Sequence, residues 1–273
     1  MISSTQNPQI KHLLLLQQKS AQRRAEGLFV VEGRREVEHC IEAGYTLRTV
    51  FVCDEIGAPS ESPLIGETCG YESSPLKGKI ERVSRNVYER IAYRGGTEGI
   101  VAVVEARRTG LSDLQLSASP LIVVLESVEK PGNLGAVLRS ADAAGADAVV
   151  VCDPLTDLYN PNLIRSAVGA VFTVPCVVCS TGECIAFFKE RGIRILTAQL
   201  QDSRLYYDTP MTGPTAIVMG TEATGLTDQW RQAADAHIRI PMLGRLDSLN
   251  VSVSAAILLF EAVRQRQAHF KGK

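Results

Sequence analysis

The 273-residue chain reads as an α/β protein: a C-terminal domain built on a parallel sheet, preceded by a smaller α/β domain. Three observations predict this. After position 120 come six apolar runs of strand length, "LIVVLE", "AVVVCD", "TVPCVV", "RILTA", "AIVMG" and "HIRIP". Helical patterns lie between most of them, and near-continuous apolar strands alternating with helices mark a parallel sheet covered on both faces. Finally, "EARRTGLSDLQLSASP" (Glu105 to Pro120) is polar, carries Ser, Gly and Pro, and has weak periodicity, which reads as a linker. The expected organisation is residues 1–105, a linker over 106–119, and a second domain over 120–273.

The first domain mixes helix and strand. Asn7 is a plausible cap with Pro8 at the first helical position, and the helical pattern runs to Gly27. "LFVV", "TVFVCD" and "GIVAVVE" read as strands, with a helix at "RREVEHCIEAG" and another at "SRNVYERIA" capped by Ser84. "GAPSESPLIGETCGYESSPL" is too rich in Gly, Pro and Ser to assign.

Composition narrows the function classes. Apolar residues make up 45%, enough for a real core, and the formal net charge is −1, so no global field favours a polyanion. Local basic patches remain: residues 77–108 hold eight Lys or Arg against four Glu, including Arg94, and "QQKSAQRR" adds Arg23 and Arg24. "LLLL" is too short for a leader's apolar region, and no run approaches the roughly 20 residues a membrane span needs. A soluble, cytoplasmic protein is expected. Of the seven cysteines, Cys176 and Cys179 form a lone Cys-x-x-Cys with no second pair or His close after it. On a strand these two would point to opposite faces. The expectation is reduced core thiols and no metal.

In parallel sheets ligands bind beyond the carboxyl ends of the strands, so the loops there are the candidates. The first, "LESVEKPGNLGAVLRSADAAG", turns into a helix with Asn133 as expected N-cap and Leu134, Val137, Leu138 and Ala141 as its buried stripe. Arg139 lies off that stripe. Its side chain should lean back over Gly135 toward the helix N-terminus, which suits an anion such as a phosphate. A dinucleotide site fails in detail: only Gly132 and Gly135 are present, not Gly-x-Gly-x-x-Gly, and there is no Gly-Lys-Ser/Thr. The second loop, "AIVMGTEATGL", carries Gly220, Glu222 and Gly225; its glycines let a ligand approach the backbone. The third, "IPMLGRLDSLNVSVSAA", has a turn at Gly244, and Ser248 or Asn250 caps an apolar helix expected to be buried all round, in the core or against a second subunit.

Taken together and in order, Asn133-x-Gly135-x-x-x-Arg139, Gly220-Thr-Glu222-x-x-Gly225 and Ile240-Pro-Met-x-Gly244 with Ser248-Leu-Asn250-Val-Ser-Val resemble the three motifs of the SpoU (TrmH-type) RNA 2′-O-ribose methyltransferases. The resemblance covers about residues 121–267, and the N-terminal part resembles that family's substrate-binding domain. One departure is Thr221, where Asn or Ser is more usual.

The resemblance implies a SPOUT-type domain with a deep trefoil knot and a small RNA-binding domain before it. It also implies S-adenosylmethionine as methyl donor and a homodimer whose site borrows from both subunits. Cofactor contacts would fall at Met219, Gly220, Ile240, Met242, Gly244 and Leu249. Asn133, Arg139, Glu222, Ser248 and Asn250 would carry the reaction, and Arg23, Arg24, Arg94 and Lys130 would meet RNA. Because a guanidinium loses its proton only above a pKa of about 12, Arg139 is expected to act electrostatically rather than as a base. It would grip the adjacent phosphate and a developing alkoxide, oriented by Glu222. Ribosomal RNA is the first expected substrate and transfer RNA the second. A non-catalytic RNA-binding or assembly factor of the same fold is a further alternative.

Overall fold

A computed structural model describes residues 1–57, 78–92, 98–221 and 224–271. The chain divides into two compact units, Met1–Arg107 with Leu158–Arg165, and Arg108–Asp157 with Ser166–Lys273.

The first unit opens with α1 (Pro8–Gln18), where the Asn7 side chain accepts from the Gln9 amide at 2.8 Å. The expected continuous helix to Gly27 breaks at Lys19, whose backbone is extended, and α2 (Ser20–Glu26) then ends on Gly27 at φ 64. The break has a stabilising partner. Arg23 is only 4% exposed, and its guanidinium donates to the carbonyls of Leu16 at 2.6 Å and Gln17 at 3.1 Å, at the end of α1. Helix ends leave such carbonyls unsatisfied. Arg23 therefore holds two helices together and is not the surface phosphate ligand expected from its sequence; Arg24 is exposed.

The rest of this unit comprises β1 (Leu28–Glu32), α3 (Arg34–Glu42), β2 (Leu47–Val52), β3 (Ile80–Arg82), α4 (Arg85–Ile91) and β4 (Ile100–Glu105). The sheet order is β1-β4-β2-β3, with β4 antiparallel to both neighbours and β3 parallel to β2. Ser84 stands at the start of α4 but its side chain makes no capping bond. Arg94 lies outside the described residues, as does almost all of the unassigned Gly/Pro/Ser-rich stretch.

The second unit carries β5 (Leu121–Glu126), α5 (Pro131–Ala143), β6 (Ala148–Cys152), the end of α6 (Pro161–Ala167), α7 (Ala170–Thr173), β7 (Cys176–Cys179) and α8 (Thr181–Glu190). It continues with β8 (Arg194–Ala198), β9 (Arg204–Leu205), β10 (Thr215–Met219), α9 (Asp228–Ala233), β11 (Ala236–Arg239) and α10 (Val251–Lys271). All six expected apolar runs are strands, and the two-residue β9 joins them. The order is β7-β6-β5-β10-β8-β11-β9, and every pairing is parallel. Buried side chains on both faces explain the unbroken apolar runs: every residue of β5, β6 and β10 is buried.

This order places the site. From β5 the chain winds outward through β6 to β7, then returns and fills the other side, with β10 against β5. The winding direction reverses between β5 and β10, and a crevice opens beyond the carboxyl ends of strands at such a switch. α10 packs on α5. Ala255, Leu258, Leu259 and Ala262 are fully buried, whereas Val253 and Phe260 are 48% and 49% exposed, so within one chain α10 buries one face rather than its whole circumference.

Candidate active site at the carboxyl edge of the parallel sheet

The first loop leaves β5 through Ser127 and enters α5 at Pro131. The helix starts three residues earlier than expected, because proline's fixed φ suits the first helical position. Lys130 occupies the cap position but its side chain makes no capping bond, and Asn133 sits inside the first turn. Asn133 is therefore free of capping duty, and its Oδ1 accepts from Asn250 Nδ2 at 3.1 Å. Gly135 serves packing: a Cβ there would fall within 2.8 Å of the Ala167 amide nitrogen and overlap the Ser166 side chain. That is a different reason from the open path for Arg139 expected from the sequence.

The second loop is closed by reciprocal backbone bonds. Thr221 N–H donates to Gly225 O at 3.3 Å, and Gly225 N–H donates to Thr221 O at 3.1 Å. The Thr221 hydroxyl accepts from Thr224 N–H at 3.0 Å, so the departure at this position keeps a hydroxyl where the loop uses one. Gly225 sits at φ 68, where L side chains are strained. A Cβ on Gly220 would overlap the Gly225 backbone and come within 2.5 Å of the Leu226 amide nitrogen. Glu222 lies outside the described residues.

The third loop ends in α10. Asn250 is its cap: Oδ1 accepts from the Ser252 amide at 3.0 Å and the Ser252 hydroxyl at 2.6 Å. Ser248 is exposed and makes no capping bond. The sequence left Ser248 and Asn250 as alternatives; Asn250 performs the capping and also reaches Asn133.

Two cavities meet at Gly220 and Thr221. The larger, about 380 Å³, takes in Met219, Gly220, Ile240, Met242, Ser248 and Leu249. Its size falls within the roughly 300–1,000 Å³ of small-molecule sites. The smaller, about 130 Å³, lies at the end of β5 and is lined by Lys130, Asn133, Gly220, Thr221 and Val251 among others. All three loops thus contribute to one crevice. Gly244 does not: it is exposed, lines neither cavity, and a Cβ there would meet nothing within 4 Å. Arg139 also lines neither cavity. It is exposed on α5, with no hydrogen bond or ion pair to another described residue. Six residues beyond Asn133, it stands about 9 Å further along the helix axis.

Two residues that the sequence did not single out belong here. Glu126 is 3% exposed at the end of β5. Its carboxylate accepts from the Thr227 amide at 2.9 Å, the Thr227 hydroxyl at 2.7 Å and the Thr181 hydroxyl at 3.2 Å. It ties the strand to the segment that follows the second loop. The sequence signal was an acid closing an otherwise apolar run. Gln199, after β8, lines the larger cavity. Its Nε2 donates to Gln201 O at 3.0 Å, while its Oε1 is buried without a hydrogen-bond partner among the described residues. A buried acceptor left unpaired is costly, so it suits a ligand donor.

Residues 120–260 match the SpoU rRNA Methylase family, and residues 7–102 match the MRM3-like substrate binding domain. The chain belongs to the SpoU rRNA methylase family. Among relatives, it is 38% identical over 195 residues to 23S rRNA (guanosine-2′-O-)-methyltransferase RlmB of Vibrio vulnificus, spanning 69% of this chain and 79% of that protein. It is 28% identical over 261 residues to 23S rRNA (guanosine(2553)-2′-O)-methyltransferase RlmP of Bacillus subtilis, spanning 95% and 97%. The crystal structure of the AdoMet-bound rRNA methyltransferase from Sinorhizobium meliloti superposes with a TM-score of 0.86 at 28% identity, over 96% of this chain and 97% of that one.

Among the described residues of this family member, no helix is long and apolar enough to cross a membrane.

Proposed function

We propose that this chain transfers a methyl group from S-adenosylmethionine to a ribose 2′-hydroxyl of ribosomal RNA. The observation that carries the reading is the Asn250–Asn133 hydrogen bond, which joins the third motif to the first beside the cavity that the second motif's Gly220 lines.

The larger cavity fits the cofactor. Its volume and the unpaired Gln199 Oε1 are features of a ligand site. Gly220, Ile240 and Leu249 would hold the cofactor, with Met219 and Met242 supplying apolar wall. When bound, S-adenosylmethionine supplies an electrophilic sulfonium methyl group.

The chain's own residues prepare the acceptor. Lys130 and the N-terminal turn of α5 offer positive potential to a phosphate near the smaller cavity. Asn133 and Asn250, locked to each other, fix the mouth of the crevice. Arg139 is a permanent cation, exposed on α5 outside the cofactor cavity and so accessible to RNA. There it would grip a phosphate and stabilise the alkoxide that develops as the hydroxyl gives its proton to solvent. Glu222 is assigned the role of orienting it.

Further readings belong with this one. The trefoil knot implied by the family resemblance is supported by a sheet in which β10 enters between β5 and β8, and by the return of α10 onto α5. A homodimer is supported by the exposed Val253 and Phe260 on α10. The first unit is assigned to RNA binding on its match to a substrate-binding domain, and the protein to the cytoplasm, where ribosomal RNA is reached. Comparison of ribose methylation across ribosomal and transfer RNA in cells with and without the gene tests the proposal. One ribosomal ribose methyl lost in the deletion is the expected result; loss confined to transfer RNA, or no loss, would overturn it.

A further inference from the structure

Three thiols converge at the carboxyl ends of β6 and the edge strand β7, and line neither cavity of the crevice. Cys152 ends β6 and Cys179 ends β7, and the two are register partners on adjacent parallel strands. Cys184 comes from the second turn of α8. The Sγ atoms of Cys152 and Cys179 are 4.0 Å apart, and all three lie within 4.8 Å of one another. Cys152 and Cys184 are fully buried, while Cys179 is partly exposed and opens the cluster to solvent.

We propose that Cys152, Cys179 and Cys184 form a binding site for one thiophilic d10 cation, of the class of Zn²⁺, Cd²⁺ and Cu⁺. Soft thiolates select these ions. With metal–sulfur bonds near 2.3 Å, a three-coordinate thiolate site needs sulfurs about 4.0 Å apart in a trigonal plane, or about 3.8 Å in a tetrahedron with one further ligand. The Cys152–Cys179 separation already meets that spacing, so sub-ångström side-chain adjustment at Cys184 completes the set. The partly exposed side of Cys179 leaves room for a water as fourth ligand. A disulfide would use two sulfurs and needs a bond of about 2.05 Å; the convergence of a third thiol from a different element favours an ion. On binding, each ligating thiol gives its proton to solvent and its sulfur donates a lone pair to the ion, with no change of oxidation state. The ion would tie edge strand β7, strand β6 and helix α8 together. Cys176, the other half of the Cys-x-x-Cys, is no part of the cluster: the neighbours of Cys179 come from β6 and α8.

The test uses the reduced full-length protein, freed of metal and titrated with Cd²⁺ alone, with Zn²⁺ as competitor. A thiolate-to-metal charge-transfer band saturating at one ion per chain and displaced by Zn²⁺ is expected. Cys184→Ala and Cys179→Ser should each weaken binding at least about 100-fold, while Cys176→Ser leaves it unchanged. Two ligand variants are used so that one remains informative should the other fail to fold. Absence of a saturating band, a band indifferent to both variants, or one lost in Cys176→Ser would overturn the proposal.

Discussion

The Asn250 side-chain amide donates to the Asn133 side-chain oxygen at 3.1 Å, bridging 117 positions of sequence. The Asn250 side-chain oxygen accepts from the Ser252 amide and hydroxyl at the start of α10. One residue thus starts the last helix and fixes the first motif. Asn250→Ala should cost about 1 kcal/mol for the cap and about 1 kcal/mol for the link, which Asn133→Ala also loses. A double-mutant cycle by thermal or denaturant unfolding should return a coupling of about 1 kcal/mol. Additive effects would mean that the bond contributes nothing.

The two glycines of the second and third motifs should behave differently. A methyl on Gly220 collides with backbone, which cannot move aside cheaply, whereas one on Gly244 meets open space. Gly220→Ala should destabilise by about 1–3 kcal/mol and lower S-adenosylmethionine affinity, while Gly244→Ala changes both little. Calorimetric titration of the two variants checks this. Equal losses would show that Gly244 meets the cofactor after all.

Arg139 lies outside the cofactor cavity, so its removal should separate binding from turnover. Arg139→Ala should leave cofactor affinity within about twofold yet lower kcat roughly 100- to 1,000-fold. Arg139→Lys should recover only part of the loss, because a point charge cannot hold a phosphate in two parallel hydrogen bonds. Near-normal turnover in Arg139→Lys would exclude the bidentate role.

Arg23 and Arg24 are neighbours with opposite assignments. Arg23→Ala removes a buried guanidinium from two carbonyls and should lower stability by about 1–3 kcal/mol without changing the salt dependence of RNA binding. Arg24→Ala should leave stability unchanged and, where the helix meets RNA, reduce the salt slope by about 1. Unfolding curves and RNA affinity over a salt series distinguish them.

Much of this was legible in the sequence for physical reasons. Strands buried on both faces need unbroken apolar runs, so β5, β6 and β10 were readable, and motif spacing located the three loops. What depends on distant partners was not. A basic pair on a helix reads as surface, and nothing near Arg23 in sequence shows that α1 ends against it. Glu126 reads as a strand terminus until Thr181 and Thr227 are seen around it. Asn133 was assigned the cap although Pro131 already marked the first turn, and the trio of Cys152, Cys179 and Cys184 exists only once β6 and β7 pair.

The most direct test is methyl transfer itself. Purified protein, S-adenosylmethionine with a labelled methyl group and 23S ribosomal RNA from cells lacking the gene are combined, and the labelled nucleotide is located by its resistance to alkaline hydrolysis. One label per RNA on a ribose 2′-oxygen, reduced in Gly220→Ala and strongly reduced in Arg139→Ala, is the predicted result. Label on a base, or no transfer by folded protein that binds the cofactor, would contradict it.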